Sequence, residues 1–393
     1  MRHLGTLAVF SLAALVYALS SGPELAHQSY APHFVYLANA FAHGKLDLGT
    51  FPPPSSEEGD WTLFHGHWTI AFPPLPSLLM VPFVLVYGKA FNDIIFTLLF
   101  AAANVALVFN LLPAISHRLI PDFKLEAKAR WALTASFAFG TVHWWLASFG
   151  MVWFTGQIVG LTFLLLALRE TLVKGRPLLV GLWMALAGLS RPTMLLALPV
   201  LVWLLYPYVP LRRQLVGLLP LALAGIGMGW YNYARFGDPL ELGYRYMLIE
   251  KLLAGPLDKY GQFSLAHLGR NLYWSLVALP KLSPKSPFVL INPWGLSIFI
   301  STPALLFIFF APWREKLAQA CLLGAVCVAI PSLLYYTTGY MQFGYRFILD
   351  YIPFLMVLVA LGMRGRLTKP ALILILVSIA MGFFQLINFR ASL

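Results

Sequence analysis

Long apolar runs recur from one end of the chain to the other, separated by short polar stretches. LVGLLPLALAGIGMGW (215–230) and ALILILVSIAMGF (371–383) are typical. They lack the apolar/polar alternation of a membrane-spanning strand, so they predict helices. The predicted spans are 4–21, 94–112, 131–148, 152–168, 178–189, 193–206, 215–231, 288–310, 317–336, 350–363 and 371–388. Several fall short of the ~20 residues that a bilayer normally requires. The pair flanking Ser190-Arg191-Pro192 is either two short helices or one broken span. Segment 73–87 is apolar too, but its ~22 Å of helix does not reach across a ~30 Å hydrocarbon core. It follows Phe72-Pro73-Pro74, and it is expected to be re-entrant or interfacial. The predicted fold is an all-α polytopic membrane protein of about 11 transmembrane helices, with 1–393 forming a single transmembrane domain.

Lysine and arginine set the expected orientation. The connections 169–176, 212–213, 314–316 and 364–369 are short and basic, which places them on the cytoplasmic side together with 117–130. Counting 73–87 as a full span would put 22–72 on that side too, which argues for the re-entrant reading. The N-terminus is then cytoplasmic. Two long external loops result, 22–72 and 232–287. Arg191 and 337–349 face the same outer side, and a further short helix is expected at 265–277. Neither loop is long enough to build its own core, so both must pack on the bundle. Within the first loop, SYAPHFVYLANAFAHGKLDL (29–48) predicts a short helix with Pro32 at its start and Gly44 at its stop. Phe34, Leu37, Ala38 and Phe41 form its apolar face, expected to lie on the membrane or the bundle roof. Tyr36, Asn39 and His43 lie on another face.

Composition agrees with this pattern. Of 393 residues, 60% are hydrophobic and 11% charged, whereas soluble domains are nearer a quarter charged. The net charge of +12 is scattered at segment ends, where topology wants it, and gives no reason to invoke nucleic acid. The 12 Trp, 17 Tyr and 30 Phe gather near the same ends, as an interfacial belt does. Cys321 and Cys327 share one apolar run and are expected to pack, not to pair. The first segment has the outline of a secretory signal but is expected to stay attached as an anchor. No internal repeat points to a transporter of two similar halves.

Candidate chemistry collects at one side, at the outer ends of spans. The first loop offers His33, Tyr36, Asn39, His43, Asp47, Glu57, Glu58, Asp60, His65 and His67. The later segments offer Arg191, Arg235, Asp238, Glu241, Tyr244, Arg245, Gln342, Tyr345, Arg346 and Asp350. Ionisable groups this near the apolar layer are costly unless paired or used. Arg191, beside Pro192, is either a cation aimed at a lipid phosphate or a snorkelling interfacial side chain. Arg346 and Asp350, spaced i, i+4, are expected to pair. That pair either fixes a helix entry or presents Arg346 as a phosphate clamp, for which a planar fork is suited. Arg245 with Tyr244 is a third candidate clamp. Asp60 beside Trp61, with Trp68 beyond, is a candidate sugar-binding carboxylate and base; a solvated turn acid is the alternative. His65-Gly66-His67 is a weak metal pattern, and no metal is assigned. There is no P-loop, GxSxG or HExxH, so nucleotide hydrolysis, serine hydrolysis and zinc proteolysis lack their usual motifs.

The layout resembles the GT-C glycosyltransferases, a superfamily that includes the protein mannosyltransferases and the aminoarabinose transferase of lipid A. The stretches carrying the resemblance are HFVYLANAFAHGKLDL, DWTLFHGHW, AFPPLPSLLMVPFVLVYG, GLSRPT and QFGYRFILDYIPF. They look like those of a bacterial group within that superfamily. The resemblance implies transfer of a sugar from a polyprenyl-phosphate donor to a glycan, lipid or protein acceptor. Transfer would occur on the outer face of the cytoplasmic membrane. It also implies an acid in the first external loop, soon after the first span. This sequence departs there, because 29–43 contains no Asp or Glu. The catalytic candidates are therefore Asp60, His33 and Asp47, in that order. The substrate-binding candidates are Arg191, Arg245, Tyr244, Tyr345, Arg346, Asp350 and Trp61. Two rival readings are a transporter or flippase of a lipid-linked substrate and a non-catalytic relative that binds polyprenyl lipids.

Overall fold

The computed structural model describes residues 2–54, 59–116, 120, 122–285, 289–290 and 292–392. Helices dominate: α1 (Arg2–Ser21), α2 (His33–Ala42), α3 (Leu75–Tyr87), α4 (Asp93–Leu111), α5 (Ala127–Phe139), α6 (His143–Phe149), α7 (Val152–Val173), α8 (Pro177–Gly188) and α9 (Leu198–Leu205). They are followed by the helices Leu218–Phe236, Lys316–Leu334, Ile352–Gly362 and Lys369–Ser392. Six helices among the described residues are long and apolar enough to cross a membrane: Leu4–Ala26, Asp93–Ser116, Val152–Val173, Leu211–Phe236, Lys316–Leu334 and Lys369–Ala391. Four apolar helices are shorter: Leu75–Ala90, Pro177–Gly188, Pro192–Leu205 and Ile352–Gly362. The chain is a multi-pass membrane protein, but length alone does not bring its spans to eleven.

Two predicted spans are not continuous helices. Segment 131–148 breaks between α5 and α6. The Thr141 hydroxyl donates back to the Phe137 carbonyl at 2.7 Å and accepts the His143 N–H at 3.2 Å, ending one helix and capping the next. Segment 288–310 becomes a single helical turn, Ile298–Ser301, and then a 3₁₀ helix, Pro303–Phe310. Ser297 caps the turn, and Pro303 removes the N–H that would continue it.

The all-α expectation also needs correction. β1 (Trp61–Phe64) and β2 (His67–Ile70) form a hairpin, and β3 (Met247–Leu248) adds to β1 with Trp61 opposite Leu248. His65 and Gly66 turn the hairpin, both at positive φ (48° and 79°), as a type I′ turn requires. The two long connecting segments therefore meet in one small sheet at one end of the bundle. Arg235, at the end of Leu218–Phe236, ties that sheet down. It donates to the Thr69 hydroxyl and the Ile70 carbonyl and stacks on Tyr231 at 3.7 Å.

Helix α2 starts after Pro32 and buries Phe34, Leu37 and Ala38, the face that the pattern predicts. His33, Val35 and Ala40 are buried as well. The helix is enclosed between α3 and β2 instead of lying on a surface with one face open. The Ser29 backbone and hydroxyl bind the Asp93 carboxylate at 2.8 and 2.6 Å, which pins its approach to the start of α4.

The centre of the bundle is α7. Its apolar stretch is 83% buried inside the protein, against 22% for α1 and 17% for Leu211–Phe236. Those outer helices turn their apolar side chains to lipid. The break after α8 packs on α7 at Gly156 and Gly160. The Ser190 hydroxyl donates to the Gly156 carbonyl at 2.9 Å. A Cβ on Gly160 would stand 3.0 Å from both the Arg191 Cβ and the Met194 sulfur. Small residues four apart allow this approach. Gly160→Val is expected to cost about 1–3 kcal/mol by overpacking and to lower the melting temperature in detergent. Gly225→Ala, where nothing lies within 4 Å, is expected to leave it unchanged or raise it. Equal melting temperatures for the two variants would contradict this packing.

Candidate functional site

The break after α8, the N-terminal half of α7 and segment 335–350 converge at the end of the bundle that carries the sheet. The hub is Asp350, 1% exposed. One of its oxygens accepts from Arg191 Nε at 2.9 Å and from the Thr193 hydroxyl at 3.1 Å. The other accepts from Gln157 Nε2 at 2.8 Å. Gln157 then turns its carbonyl oxygen to Arg346 Nη1 at 3.1 Å. The expected Arg346–Asp350 ion pair is therefore absent: Asp350 pairs with Arg191, and Gln157 stands between Asp350 and Arg346. The reason is local. Residues 346–350 form a 3₁₀ turn, which does not set i and i+4 side chains on one face as an α-helix does.

Arg346 is held firmly. Its Nε donates to the Gly339 carbonyl at 2.9 Å, and its backbone N–H to Gln342 Oε1 at 2.8 Å. Gly339 (φ +104°) is required there, because a Cβ would stand 2.8 Å from Arg346 Nε. Burial, and then the Arg191 charge, lower the Arg346 pKa to about 10, so it stays cationic at neutral pH. Arg191 differs in one respect. Only its Nε makes a hydrogen bond among the described residues, and its guanidinium lies over the Phe347 ring at 5.4 Å. Its side chain is 21% exposed. A guanidinium fork anchored at its base and open at its tip can take an oxyanion.

Asp60, from the first segment, lies within reach of the Arg346 charge. Its backbone N–H donates to the Leu248 carbonyl at 2.9 Å, and its carboxylate accepts the Trp153 indole N–H at 2.7 Å. It sits at φ 68°, unusual for a residue with a Cβ. Burial raises its pKa to about 6, opposed by the Trp153 hydrogen bond and the Arg346 charge and assisted by Glu250. Tyr244, Tyr335 and Tyr336 are close enough for the Asp60 charge to raise their phenol pKa values beyond what burial does. Tyr244 also feels Arg191. The structure thus brings Asp60, Tyr244, Arg191, Arg346 and Asp350 together.

Other candidates lie elsewhere or are otherwise engaged. Asp47 pairs with His67 at 3.2 Å and accepts the Gly49 N–H. Arg245 is exposed and paired with Glu241. Tyr345 is fully buried, with its hydroxyl 3.5 Å from that of Ser332. Trp61 is buried beneath His33, ring on ring at 3.6 Å, so it offers no open face to a sugar. His33 gives its Nε2 to the Gly59 carbonyl at 2.7 Å. Burial lowers its pKa to about 4, a weak base. His43 binds the Asn39 carbonyl. Glu57 and Glu58 lie outside the described residues. Among the described residues no three His, Cys, Asp or Glu side chains gather as a metal site would require. Sequence reasoning misses Thr193, Trp153 and Glu250, and it reads Gln157 as an isolated polar residue within a span, whereas Gln157 bonds Asp350 and Arg346. A glutamine inside a span was a usable signal, since an unpaired amide there is costly.

No protein-family model matches the chain, and no curated protein does. Among solved structures, ArnT from Cupriavidus metallidurans, bound to undecaprenyl phosphate, matches 93% of this chain at a TM-score of 0.54 and 14% identity. The oligosaccharyltransferase of Archaeoglobus fulgidus, in its apo form, matches 98% of it at a TM-score of 0.46 and 14% identity. The chain spans 61% of the length of the first and 56% of the second. The likeness to ArnT is one of fold.

The hub can be tested by removing its acid. Asp350→Ala strands Arg191 and Thr193 in a largely apolar setting and is expected to cost about 3–5 kcal/mol. Adding Arg191→Ala should cost less than the sum of the two single changes. Additive losses in detergent unfolding would show that the two side chains do not act as a pair.

Proposed function

We propose that the protein is a membrane glycosyltransferase that moves a sugar from a polyprenyl-phosphate donor to an acceptor at the outer face of the cytoplasmic membrane. One observation carries this reading. The Arg191 fork lies near Arg346 at the bundle end where a partly buried carboxylate, Asp60, feels the Arg346 charge. The likeness in fold to ArnT supports it, and ArnT was crystallised with a lipid phosphate of this kind.

The division of labour follows from charge. The acceptor hydroxyl attacks the anomeric carbon as the bond from that carbon to the phosphate oxygen breaks. Asp60 takes the hydroxyl proton. The leaving group is a phosphate monoester, which needs its growing negative charge neutralised more than it needs a proton. Arg191 supplies two unengaged N–H donors for that purpose, and Arg346 a second fixed cation. Tyr244, between Asp60 and Arg191, is placed to bind donor or acceptor hydroxyls. Direct displacement of this kind inverts the anomeric centre.

The reading separates binding from chemistry. Arg191→Ala is expected to weaken undecaprenyl phosphate binding roughly tenfold to a hundredfold, measured by native mass spectrometry in nanodiscs. Asp60→Asn should leave that binding intact and reduce sugar transfer by about a hundredfold or more. The assay is a panel of polyprenyl-phosphate sugars presented to the protein in native membranes. Wild-type binding by Arg191→Ala, or full transfer by Asp60→Asn, would exclude this site.

The pH profile has a defined sign. A base works ionised, so turnover should rise with pH through about 6, where the Asp60 carboxyl loses its proton. It should fall on the acid side. A rate that is flat between pH 5 and pH 8 would show that another group takes the proton.

A further inference from the structure

His33 is 2% exposed and points into the first segment, away from solvent. Its surroundings are unusually specific. Nε2 lies 2.7 Å from the Gly59 carbonyl oxygen. The ring lies flat on Trp61, with centroids 3.6 Å apart and planes 10° apart. The Phe72 and Trp153 rings close the sides, each at 6.3 Å. Nδ1 has no well-aligned hydrogen bond, and the Ala31 backbone beside the ring favours its protonated form, against the larger effect of burial. No charged group bears on the ring.

Gly59 and Trp61 are the two neighbours of Asp60. A single buried side chain therefore grips the chain on both sides of the carboxylate. It holds one neighbour by a hydrogen bond and the other by a stacked ring. Between these grips Asp60 is bent into the left-handed region at φ 68°, and Gly59 sits at φ 123°. Such a conformation costs about 1–3 kcal/mol and persists only where its surroundings impose it. Trp153, which flanks the His33 ring, donates its indole N–H to the Asp60 carboxylate. The backbone and the side chain of Asp60 are thus fixed from the same aromatic box.

We infer that His33 is a positioning residue: as the neutral Nε2–H tautomer it clamps Gly59 and Trp61, and so holds the Asp60 carboxylate on the Trp153 indole, within reach of the Arg346 charge. It does this without exchanging a proton with substrate. Burial with no opposing charge keeps the ring neutral across the working range. This role rests on the proposed function for its catalytic consequence, while the clamp itself can be observed without any substrate.

The groups that face Asp60 are Trp153 from α7, Arg346 from segment 335–350, Glu250 after β3, and the phenols Tyr244, Tyr335 and Tyr336. Loosening the clamp lets water reach the carboxylate without removing any of them. The desolvation that raises its pKa should then be partly relieved.

The test uses the full-length protein in nanodiscs. Infrared difference spectra of wild type against Asp60→Asn isolate the Asp60 carboxyl band, which is titrated from pH 8 to pH 4. The wild-type midpoint is expected at about 6. His33→Phe keeps a ring over Trp61 but has no donor, and should lower the midpoint by about one pH unit. His33→Gln restores an N–H donor and should bring the midpoint back. In the transfer assay, His33→Phe should lower kcat roughly tenfold to a hundredfold with little change in KM, and its acid limb should follow the infrared midpoint. His33→Gln should recover most of the rate. An unchanged midpoint in His33→Phe, or a His33→Gln variant no better than His33→Phe, overturns the clamp. If the midpoints shift as expected while no variant, wild type included, transfers sugar, the clamp stands and the glycosyltransferase reading fails. If transfer depends on Asp60 while the midpoints do not move, the reverse holds.

Discussion

The carboxylate of Asp350 is the constraint on which the site is built. It is almost fully buried, at the edge of a membrane bundle, and it collects three side-chain donors. Those donors come from the N-terminal half of α7 and from the break after α8. A charge in such a place is tolerated only where every lone pair finds a partner. That requirement determines much else. It fixes where the chain breaks after α8, because Arg191 and Thr193 must both reach one oxygen. It fixes the rotamer of Gln157, whose amide must donate to Asp350 and accept from Arg346. It also leaves the Arg191 fork with its outer edge unspent.

The charges at this end of the bundle nearly balance but are not evenly spread. Arg191 and Arg346 lie on one side, with Asp350 tucked behind them. Asp60 stands apart, on the segment contributed by the first long loop. Glu250 adds a further negative charge that bears on Asp60. On the proposed function, an arriving phosphate would find its attraction in Arg191 and Arg346 and its opposition in Asp60. Opposition of this kind favours a carboxylate that readily accepts a proton once phosphate is near. Burial raises the Asp60 pKa to about 6, which suits the general base of the proposed function.

Much of this was legible in the sequence. The apolar runs mark most of the helices. The concentration of ionisable groups at one end, and the identity of Arg191, Arg346, Asp350 and Asp60 among them, follow from the cost of charge near lipid. Pairing was not legible. An i, i+4 spacing suggests an Arg346–Asp350 pair, but a 3₁₀ turn and a glutamine from a distant helix arrange otherwise. The hairpin was missed although WTLF and HWTI flank a two-residue His65-Gly66 turn, a usable strand signal. The helix pattern of the neighbouring segments, and the attraction of a metal reading for His65 and His67, obscured it. His33 was weighed as a base because histidine often is one. Its burial and its hold on Gly59 depend on a contact across 26 residues, which periodicity does not report.

The placement of polar groups within the spans also bears on what kind of protein this is. A carrier moves its cargo past the bilayer midplane, and so needs polar groups there that are free to engage it. Here the polar groups inside the helices are mostly consumed by neighbouring helices. Asn104 donates to the Ile158 carbonyl and accepts the Thr162 hydroxyl; Thr97 meets Thr155; Asn110 meets Thr6. These bonds join α4 to α7 and α1 and act as packing contacts between helices. Gln385, whose amide lacks a partner, lies beside Gly344, in the same segment as Arg346. Among the described residues, the buried polar atoms without a partner are scattered, from Arg169 and Gln214 to His143 and Gln385, and do not mark a path through the bundle. The lack of such a path among them suits chemistry on a headgroup at the membrane surface, with the lipid chain left in the bilayer.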